Sequence, residues 1–579
     1  MSGAQRYTRE PTQGDIDIRR QCEGRMIGLR VNRYSWWTHW RELADYILPR
    51  RYKWLITPNQ MARGSPINQH ILDSTGTLAA RNLTAGMLTG VCNPTGRWFR
   101  LKIGRIDSTQ TSPVSLWLAE VERLMMLVFQ ESNWYTAMAV MFFDLAVFGT
   151  AVVIIYEDFD NVIKCFNPCL GEFYLENDAD FTANLLDREF TMTVSQTVEE
   201  FGVENVSPAV AGLWDSKDGA NKTRELVVAH SVGPSADPHR YGIPAHFPWR
   251  EIYWEWGGSA SPQGGSSYAP GLLRKRGFHE CPFMAFRWDL VSNDAYGRSP
   301  GMDALPDIKQ LQLETKRKAQ AIDKLVNPPM VADIQLKNQP ASLLPGGVTY
   351  VSGVMSKGRP GFAPVYQVAP PVKEIMEDLN EVKTRIKDIF FNPLFQTASQ
   401  YETRSNVTAM EWDMRKAESL VMLGPVIERT MSELRRGITR VFGIMSRAGI
   451  LPPAPAEVQG EAMTVHFESI LQTSQNAAQS AGIERVFQLV GNLAGIDPAA
   501  VDNIDIDFGL EKMSSLLGND PKLVRSPDQL AQIRQQRAQQ QAQAQQAEQA
   551  EKMAAGAKTL SETQVGGGQS ALQKMTGLG

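Results

Sequence analysis

The sequence predicts an α+β chain of several domains, and three observations carry that prediction. The N-terminal quarter has helical spacing, residues 150 to 290 are dominated by β-branched and aromatic alternation, and helical spacing returns from 302 onward. The chain has 579 residues, of which 43% are hydrophobic, enough to bury sizeable cores and too many for wholesale disorder. Lys+Arg 59 against Asp+Glu 63 leaves a net charge of -4, so no general basic excess is available to coat nucleic acid. Five scattered cysteines, Cys22, Cys92, Cys165, Cys169 and Cys281, are odd in number and argue against a disulfide framework. Cys165 and Cys169 lack a second Cys or His pair at zinc-finger distance, so no metal site is read there. The polar N-terminus shows no signal-peptide core.

Taken in order, Arg33 to Tyr46 places Trp36, Trp37, Trp40, Leu43 and Tyr46 at three- and four-residue spacings, a face expected to pack rather than to stack on bases. Ser74 to Thr89 reads as a helix, and Asn93-Pro94-Thr95-Gly96 breaks the chain before the alternating segment Trp98 to Ile103. Met138 to Tyr156 is long enough to span a bilayer, but Asp144 and Gly149-Thr150 divide it. A buried helix from Trp134 to Phe148 is expected there, then a hairpin of Ala151 to Tyr156 and Val162 to Phe166. Glu251 to Trp256 reads as a strand with Ile252, Trp254 and Trp256 on its buried face. Gly257 to Gly271 reads as a mobile loop, after which Phe283 to Trp288 is expected to resume the same sheet.

From 302 to 327, Ile308, Leu311, Thr315, Ile322 and Leu325 form one stripe of a helix about 35 to 40 Å long, which Asn327-Pro328-Pro329 ends. Residues 330 to 370 are proline-rich with short apolar pieces, a small β-containing excursion. A second helix runs from Val372 to Phe391 and stops at Asn392-Pro393. A longer helical pattern, Ser405 to Ala448, carries Gly424-Pro425, where a kink is expected. Ser526-Pro527-Asp528-Gln529 is a helix start that opens the Gln/Ala-rich run Leu530 to Ala550, and disorder is expected from Gly566 onward. Such a helix has good propensity but little apolar area, so it either lies beside copies of itself or stays solvated.

No catalytic residues, cofactor or metal ligands are read. The chain has no phosphate loop, no dinucleotide fingerprint and no His-Glu-x-x-His, and no serine-nucleophile elbow is expected. The seven histidines are dispersed, and His279-Glu280-Cys281-Pro282 lacks the later cysteine pair of a zinc deaminase. The acidic pairs Glu157-Asp158, Asp178-Asp180 and Asp505-Asp507 are read as solvated turns rather than cation sites.

In several segments the chain resembles the portal, or head-to-tail connector, proteins of short-tailed bacteriophages. They are Asp73-Ser74-Thr75-Gly76 to Gly86-Met87, Pro94 to Phe99, Tyr296-Gly297-Arg298-Ser299-Pro300-Gly301, Val407 to Glu411 leading through Leu423-Gly424-Pro425, and Asp520 to Ser526. Their order and spacing over about 20 to 550 carry the likeness. The resemblance implies a portal fold that forms a ring, commonly of twelve subunits, at one capsid vertex in the virion, with double-stranded DNA passing through its channel. It implies an α/β wing (1–295), a stem (296–327 and 372–391), a clip (328–371), a tunnel loop (392–404), a kinked spine helix (405–450), a crown (451–528) and a Gln/Ala-rich barrel helix and tail (529–579). The partners it implies are the terminase large subunit, a tail adaptor protein, and the major capsid protein with its scaffold, with no membrane insertion and host cytoplasm as the place of assembly.

On the residues themselves, Lys309, Lys316, Arg317, Lys318 and Lys324 on the first stem helix, with Arg385 and Lys387 on the second, become belts of charge when repeated around a ring. Lys309, Lys316, Lys324, Arg385, Lys387, Asn392, Gln396, Gln400 and Arg404 are the DNA-channel candidates, and a solvated face pairing with Glu314, Asp323 and Asp388 is the plain alternative. A DNA-processing enzyme or motor subunit, and an internal virion scaffold protein, are the competing functions. Twelve copies at -4 total about -48, which suits a conduit that must not grip DNA.

Overall fold

The computed structural model describes residues 12–51, 55, 70–103, 113–235, 247–256, 271–326, 330–332, 355–356, 359–360, 362–364, 371–395, 423–455, 463–467, 480, 482–492, 505–516, 525 and 527–562. The chain divides into two units, one of residues 1–100, 124–451 and 465–474, the other of 101–123, 452–464 and 475–579. The glycine-rich loop expected at 257 to 271 and the disorder expected from Gly566 lie outside the described residues, apart from Gly271.

Helices of the first unit begin with α1 (Gln13–Tyr46), opened by Thr12, whose hydroxyl accepts from the Asp15 amide. Then come α2 (Thr75–Val91) and, after α3 (Pro113–Glu131), α4 (Trp134–Phe148), α5 (Val194–Phe201) and α6 (Pro208–Trp214). Gly219–Lys222 forms a single turn, α7. Later helices are α8 (Pro300–Val326), α9 (Val372–Ile389), α10 (Asn392–Phe395) and α11 (Gly424–Arg447). The strands that build its two larger sheets, skipping β1 (Phe99–Ile103), are β2 (Thr150–Asp158), β3 (Val162–Phe166), β4 (Phe173–Asn177), β5 (Ala183–Thr193), β6 (Glu225–Pro234), β7 (Trp249–Glu255), β8 (Arg274–Phe278) and β9 (Phe283–Arg287).

Strands β4 to β8 pair in sequence order as a five-stranded antiparallel sheet. On one face α1 sets Ile18, Cys22, Met26 and Leu29 against Tyr174, Leu185, Ala229, Ile252 and Trp254. On the other, Val194, Val198 and Phe201 of α5 and Val210 and Ala211 of α6 pack on Leu226, Val228 and Tyr253. Each large apolar side chain so buried contributes about 1.5 to 3 kcal/mol. Covering both faces is what alternation in β7 alone did not reveal: Ile252 and Trp254 are buried as expected and Trp256 half-buried, but Glu251 and Tyr253, on the alternate positions, are buried as well.

The buried polar face holds together as a network. His230 on β6 stands directly opposite Arg188 of β5 and Tyr253 of β7. Its ring stacks on Tyr253 at 4.1 Å, and its Nε2 lies 2.8 Å from Glu251 Oε1. Tyr253 donates to the same carboxylate at 3.0 Å and meets the Tyr156 hydroxyl at 3.2 Å, while Arg276 binds the other carboxylate oxygen. Such a group is tolerable inside because its members largely satisfy one another, His230 Nδ1 being left buried without a partner.

Phe283 to Arg287 does not resume this sheet. It pairs instead with β2, giving the order β3-β2-β9, because Thr150 to Ile154 offers it a fully buried edge. The expected helix Trp134 to Phe148 and strand Val162 to Phe166 are found with those bounds, whereas the first strand of the hairpin runs from Thr150 to Asp158 rather than Ala151 to Tyr156, and among the described residues no helix is long and apolar enough to cross a membrane. Asp144, the charge inside that apolar run, is buried against Arg51, whose Nε donates at 2.9 Å.

Helix α11 packs on this second sheet with a row of charges one face apart. Arg429 donates to the Trp288 carbonyl at 2.8 Å, Arg436 to that of Ala183 at 3.1 Å and Arg440 to that of Ile155 at 3.0 Å, and Glu433 accepts from the Ala285 amide at 3.2 Å. Gly437 admits Met284, whose sulfur would stand 2.3 Å from any added Cβ. Pro425 sits in the first turn of α11, where its missing amide costs nothing; the kink expected there and the stretch 405 to 422 lie outside the described residues.

The excursion between α8 and α9 contributes two short antiparallel pairings, Met330–Ala332 with Phe362–Pro364 and Met355–Ser356 with Arg359–Pro360. The second unit includes α12 (Ile506–Leu516) and the 36-residue α13 (Pro527–Glu562), longer than the expected Leu530 to Ala550, with Leu530 and Ile533 half-buried and its other described side chains exposed.

Burial lowers the His230 imidazole from its ordinary 6.5 to about 4 against the pull of Glu251, so the unfolded chain takes up that proton first. Burial opposes Glu251 too, yet His230 and Arg276 bring its carboxyl from 4.5 down to about 2. Both contributions are complete at neutral pH and are lost as pH falls, from 6.5 to 4 for His230 and from 4.5 to 2 for Glu251. Thermal melts should show His230→Gln less stable than the parent at pH 7, with a smaller drop in Tm between pH 7 and pH 4.5.

Candidate DNA-channel helices and the junction that positions them

Helix α8 enters the body through a crossing of two backbones. Gly149 ends α4 in the left-handed conformation, φ 77°, and a Cβ there would lie 2.3 Å from the Gly297 carbonyl oxygen. A Cβ on Gly297 would in turn lie 2.5 Å from the Gly149 oxygen, and one on Gly301 2.6 Å from that of Val147. The contact is sealed by hydrogen bonds: Trp288 amide to Gly149 carbonyl at 2.9 Å, Gly297 amide to Thr150 Oγ1 at 2.9 Å and Ser299 Oγ to the Val147 carbonyl at 2.6 Å. Tyr296 is buried edge-on against Trp40 at 5.0 Å, and burial pushes its hydroxyl up to about 12.

Gly297-Arg298-Ser299-Pro300-Gly301 does have the Gly-x-Ser-x-Gly spacing, so the expectation that no such elbow exists is corrected. It is not a nucleophile here: Ser299 Oγ donates to Val147, accepts from the Met302 amide at 3.1 Å, and is buried. It opens α8 instead. The acidic pairs serve locally as well. Asp178 accepts from the Asp180 and Thr182 amides, Asp505 from that of Phe508, and Glu157 pairs with Arg447 at 3.0 Å. In the His279 to Pro282 segment, Glu280 pairs with Arg440 and Arg447, and burial pushes the Cys281 thiol up to about 11. Burial likewise takes the Cys165 thiol up to about 12, which leaves it protonated at neutral pH.

Beyond the crossing, α8 is tied to the loop before α2. The Gln312 amide oxygen accepts from the Leu72 and Asp73 amides at 2.7 and 2.9 Å, and its Nε2 donates to the Asp73 carbonyl at 2.8 Å. Asp73 also accepts from the Thr75 amide and pairs with Lys383 of α9 at 2.7 Å. Burial works to raise the Asp73 carboxyl, but Lys383 and Thr75 outweigh it and hold it below the usual range. This link joins three segments distant in the chain, and only Asp73-Ser74-Thr75-Gly76 had been singled out in the sequence. At Gly76, Ile308 fills the space of a Cβ, as Phe395 does at Gly86.

The predicted channel residues fall into three groups. Lys309 is engaged within the subunit, 2.8 Å from Glu42 and over the Tyr46 ring, and Arg385 faces Asp307 and Glu381, each at 3.4 Å. Lys316, Arg317, Lys324 and Lys387 are exposed, Lys318 is half-buried, and none of the five has an ion-pair partner among the described residues. At 100° per residue Lys309, Lys316 and Lys324 lie within about 80° of one another along about 22 Å of helix, Lys309 packed on α1 and the other two on the side away from Ile308 and Leu311. Asn392, expected to begin an exposed loop, is only 2% exposed, in a short helix packed on α2. Gln396, Gln400 and Arg404 lie outside the described residues.

The apolar stripe of α8 divides likewise. Ile308 and Leu311 are buried, whereas Ile322, Leu325 and Val326 are exposed, as is Met376 near the facing end of α9. Half of this helix pair is therefore core and half is bare apolar surface with cations on its far side. That is the make-up of a structural subunit built to pack against something else.

The comparisons with known proteins agree. The family of bacteriophage head to tail connecting proteins matches residues 19–524, and the chain belongs to it. It is 37% identical over 539 residues to the portal protein of Salmonella phage epsilon15, covering 93% of this chain and 94% of that one. It is also 37% identical over 510 residues to a probable portal protein of Bordetella phage BPP-1, covering 88% and 89%. A chain from the virion of a native gene transfer agent particle superposes at a TM-score of 0.33 with 10% identity, over 77% of this chain and 88% of its own, too slight a likeness to bear on the fold.

Replacing Gly301 by Ala forces backbone apart at Val147 and should cost roughly 2 to 4 kcal/mol. Gly24→Ala, on α1 with nothing within 4 Å of the added atom, should leave stability unchanged or slightly raised. Equal melting temperatures for the two variants would refute the crossing.

Proposed function

We propose that this chain is the portal subunit of a short-tailed bacteriophage: copies of it form a ring at one capsid vertex, join head to tail, and let double-stranded DNA pass inward during packaging and outward during ejection. The observation that carries this is agreement over 93% of the chain with a phage portal protein. The exposed lysines of α8 and α9 support it, because around a ring each becomes a belt of charge, while the rest of the subunit stays mildly acidic. A few belts on an acidic body favour sliding over gripping, since every neutralised phosphate adds salt-dependent affinity. In this reading the ring is commonly twelvefold. The clip, 328–371, meets the terminase large subunit and then a tail adaptor protein, the wing meets the capsid protein and scaffold, and the chain works as a structural part rather than an enzyme.

Negative-stain images of the purified chain should show rings with a central hole; a population without them would sink the proposal. Deleting 529–579 should leave those rings intact, because α13 is almost wholly solvent-exposed within its own subunit; a monomer on size exclusion would refute that. Lys316→Gln with Lys324→Gln should leave ring formation unaltered while weakening DNA binding and flattening its dependence on salt. Unchanged binding would remove both residues from the channel.

A further inference from the structure

Two features of the first unit have no use within one subunit. The first is a seam on α1: Arg20, Gly24, Ile27, Val31 and Tyr34 recur at the three- and four-residue intervals of a heptad, Arg41 follows one heptad after Tyr34, and all are exposed. Ile27, Val31 and Tyr34 are 55%, 70% and 77% exposed, a bare apolar row about 10 Å long on a helix whose other side is core. Arginines bracket it, and Arg20 and Arg41 have no ion-pair partner among the described residues. The second is the tip between β2 and β3. Phe159 there is fully exposed between Asp158 and Asp160, with the Asn161 amide held by the Asp158 carboxylate at 3.1 Å.

These features lie on opposite faces of the five-stranded sheet. The seam belongs to α1, which covers the face of Ile252 and Trp254. The hairpin approaches the face of Tyr253, whose hydroxyl meets that of Tyr156, three residues before Phe159. One feature is an apolar floor with a basic end, the other an apolar knob with acidic flanks. Their charges are complementary, and their placement on opposite faces suits a heterologous contact, in which one patch of a subunit meets a different patch of the next and the series closes into a ring. Pairing of α1 with its own copy is disfavoured, since a parallel pair would oppose Arg20 to Arg20 and an antiparallel pair Arg20 to Arg41.

We infer that the Phe159 tip of one subunit seats on the α1 seam of its neighbour, over Gly24 and Ile27, with Asp158 or Asp160 meeting Arg20. The inference rests on the ring reading and adds to it a named contact. Gly24 leaves room for the ring, as nothing in its own subunit lies within 4 Å of an added Cβ.

The test is cross-linking of assembled full-length protein. Rings of the double variant Phe159→Cys, Gly24→Cys, oxidised after purification, should give a ladder of dimer, trimer and higher species on non-reducing gels, and neither single variant should. Dimer alone would show a two-fold contact and overturn the head-to-tail assignment. Absence of any product from rings that form normally would overturn the contact itself. A second arm is charge exchange: Asp160→Arg should lower the ring fraction about tenfold, and adding Arg20→Asp should restore it; ring formation unaffected by Asp160→Arg and by Phe159→Ser would assign the seam to another partner. If the parent chain forms no rings, the portal reading fails, and that outcome is distinct from rings that survive these changes.

Discussion

The crossing of Gly149 with Gly297, and of Val147 with Gly301, is the constraint on which the rest of the chain depends. Two backbones approach more closely than any Cβ permits, so the end of α4, the start of β2 and the start of α8 share one fixed point. The buried α4 and the β2 sheet lie on one side of it, the channel-candidate helix on the other. Gln312 and Lys383 then fix a second point at Asp73, about one helical turn beyond Ile308. Two fixed points define a direction, which is what a helix needs if its outer row is to face a channel.

Charge is used accordingly. Several arginines fasten the subunit together: Arg33 donates to the Phe173 carbonyl at 2.6 Å, Arg440 to that of Ile155, and Arg25 to Asp187 at 2.9 Å. A guanidinium with five donors suits capping carbonyls between layers, and its burial is tolerated where most of those donors find acceptors, although Arg440 Nη2 is buried without one. The cations left exposed on α8 and α9 are mostly lysines, flexible point charges whose contact with a phosphate is readily broken, with Arg317 and Arg385 beside them. On the portal reading proposed above, this division lets a slightly acidic chain present DNA with a few cationic belts.

Much of this was legible in the residues. The α4 helix and the β2–β3 hairpin were readable because Gly149 and the polar stretch Glu157 to Asn161, which ends β2 and turns into β3, punctuate an otherwise continuous apolar run. Helix α2 and the outline of α8 and α9 followed from period and from the prolines near their ends. The pairing of β9 with β2 was not legible, since nothing local distinguishes an edge strand of one sheet from the next strand of another. Nor was the His230 and Glu251 network, because polar residues alternating with Ile252 and Trp254 look like a solvated face until helices α5 and α6 cover it. Among the site residues, the sequence marks Lys309 and Lys316 alike; only packing shows that Glu42 claims the first and leaves the second open. Asn392 shows the same limit, its polar character suggesting exposure at a place where α2 buries it.

The most direct test of this account is a reconstruction of the assembled ring at side-chain resolution. It predicts that Lys316 and Lys324 of every subunit face the lumen while Ile322, Leu325 and Val326 lie covered by protein. A ring in which the apolar row lines the lumen and the lysines point outward would contradict it.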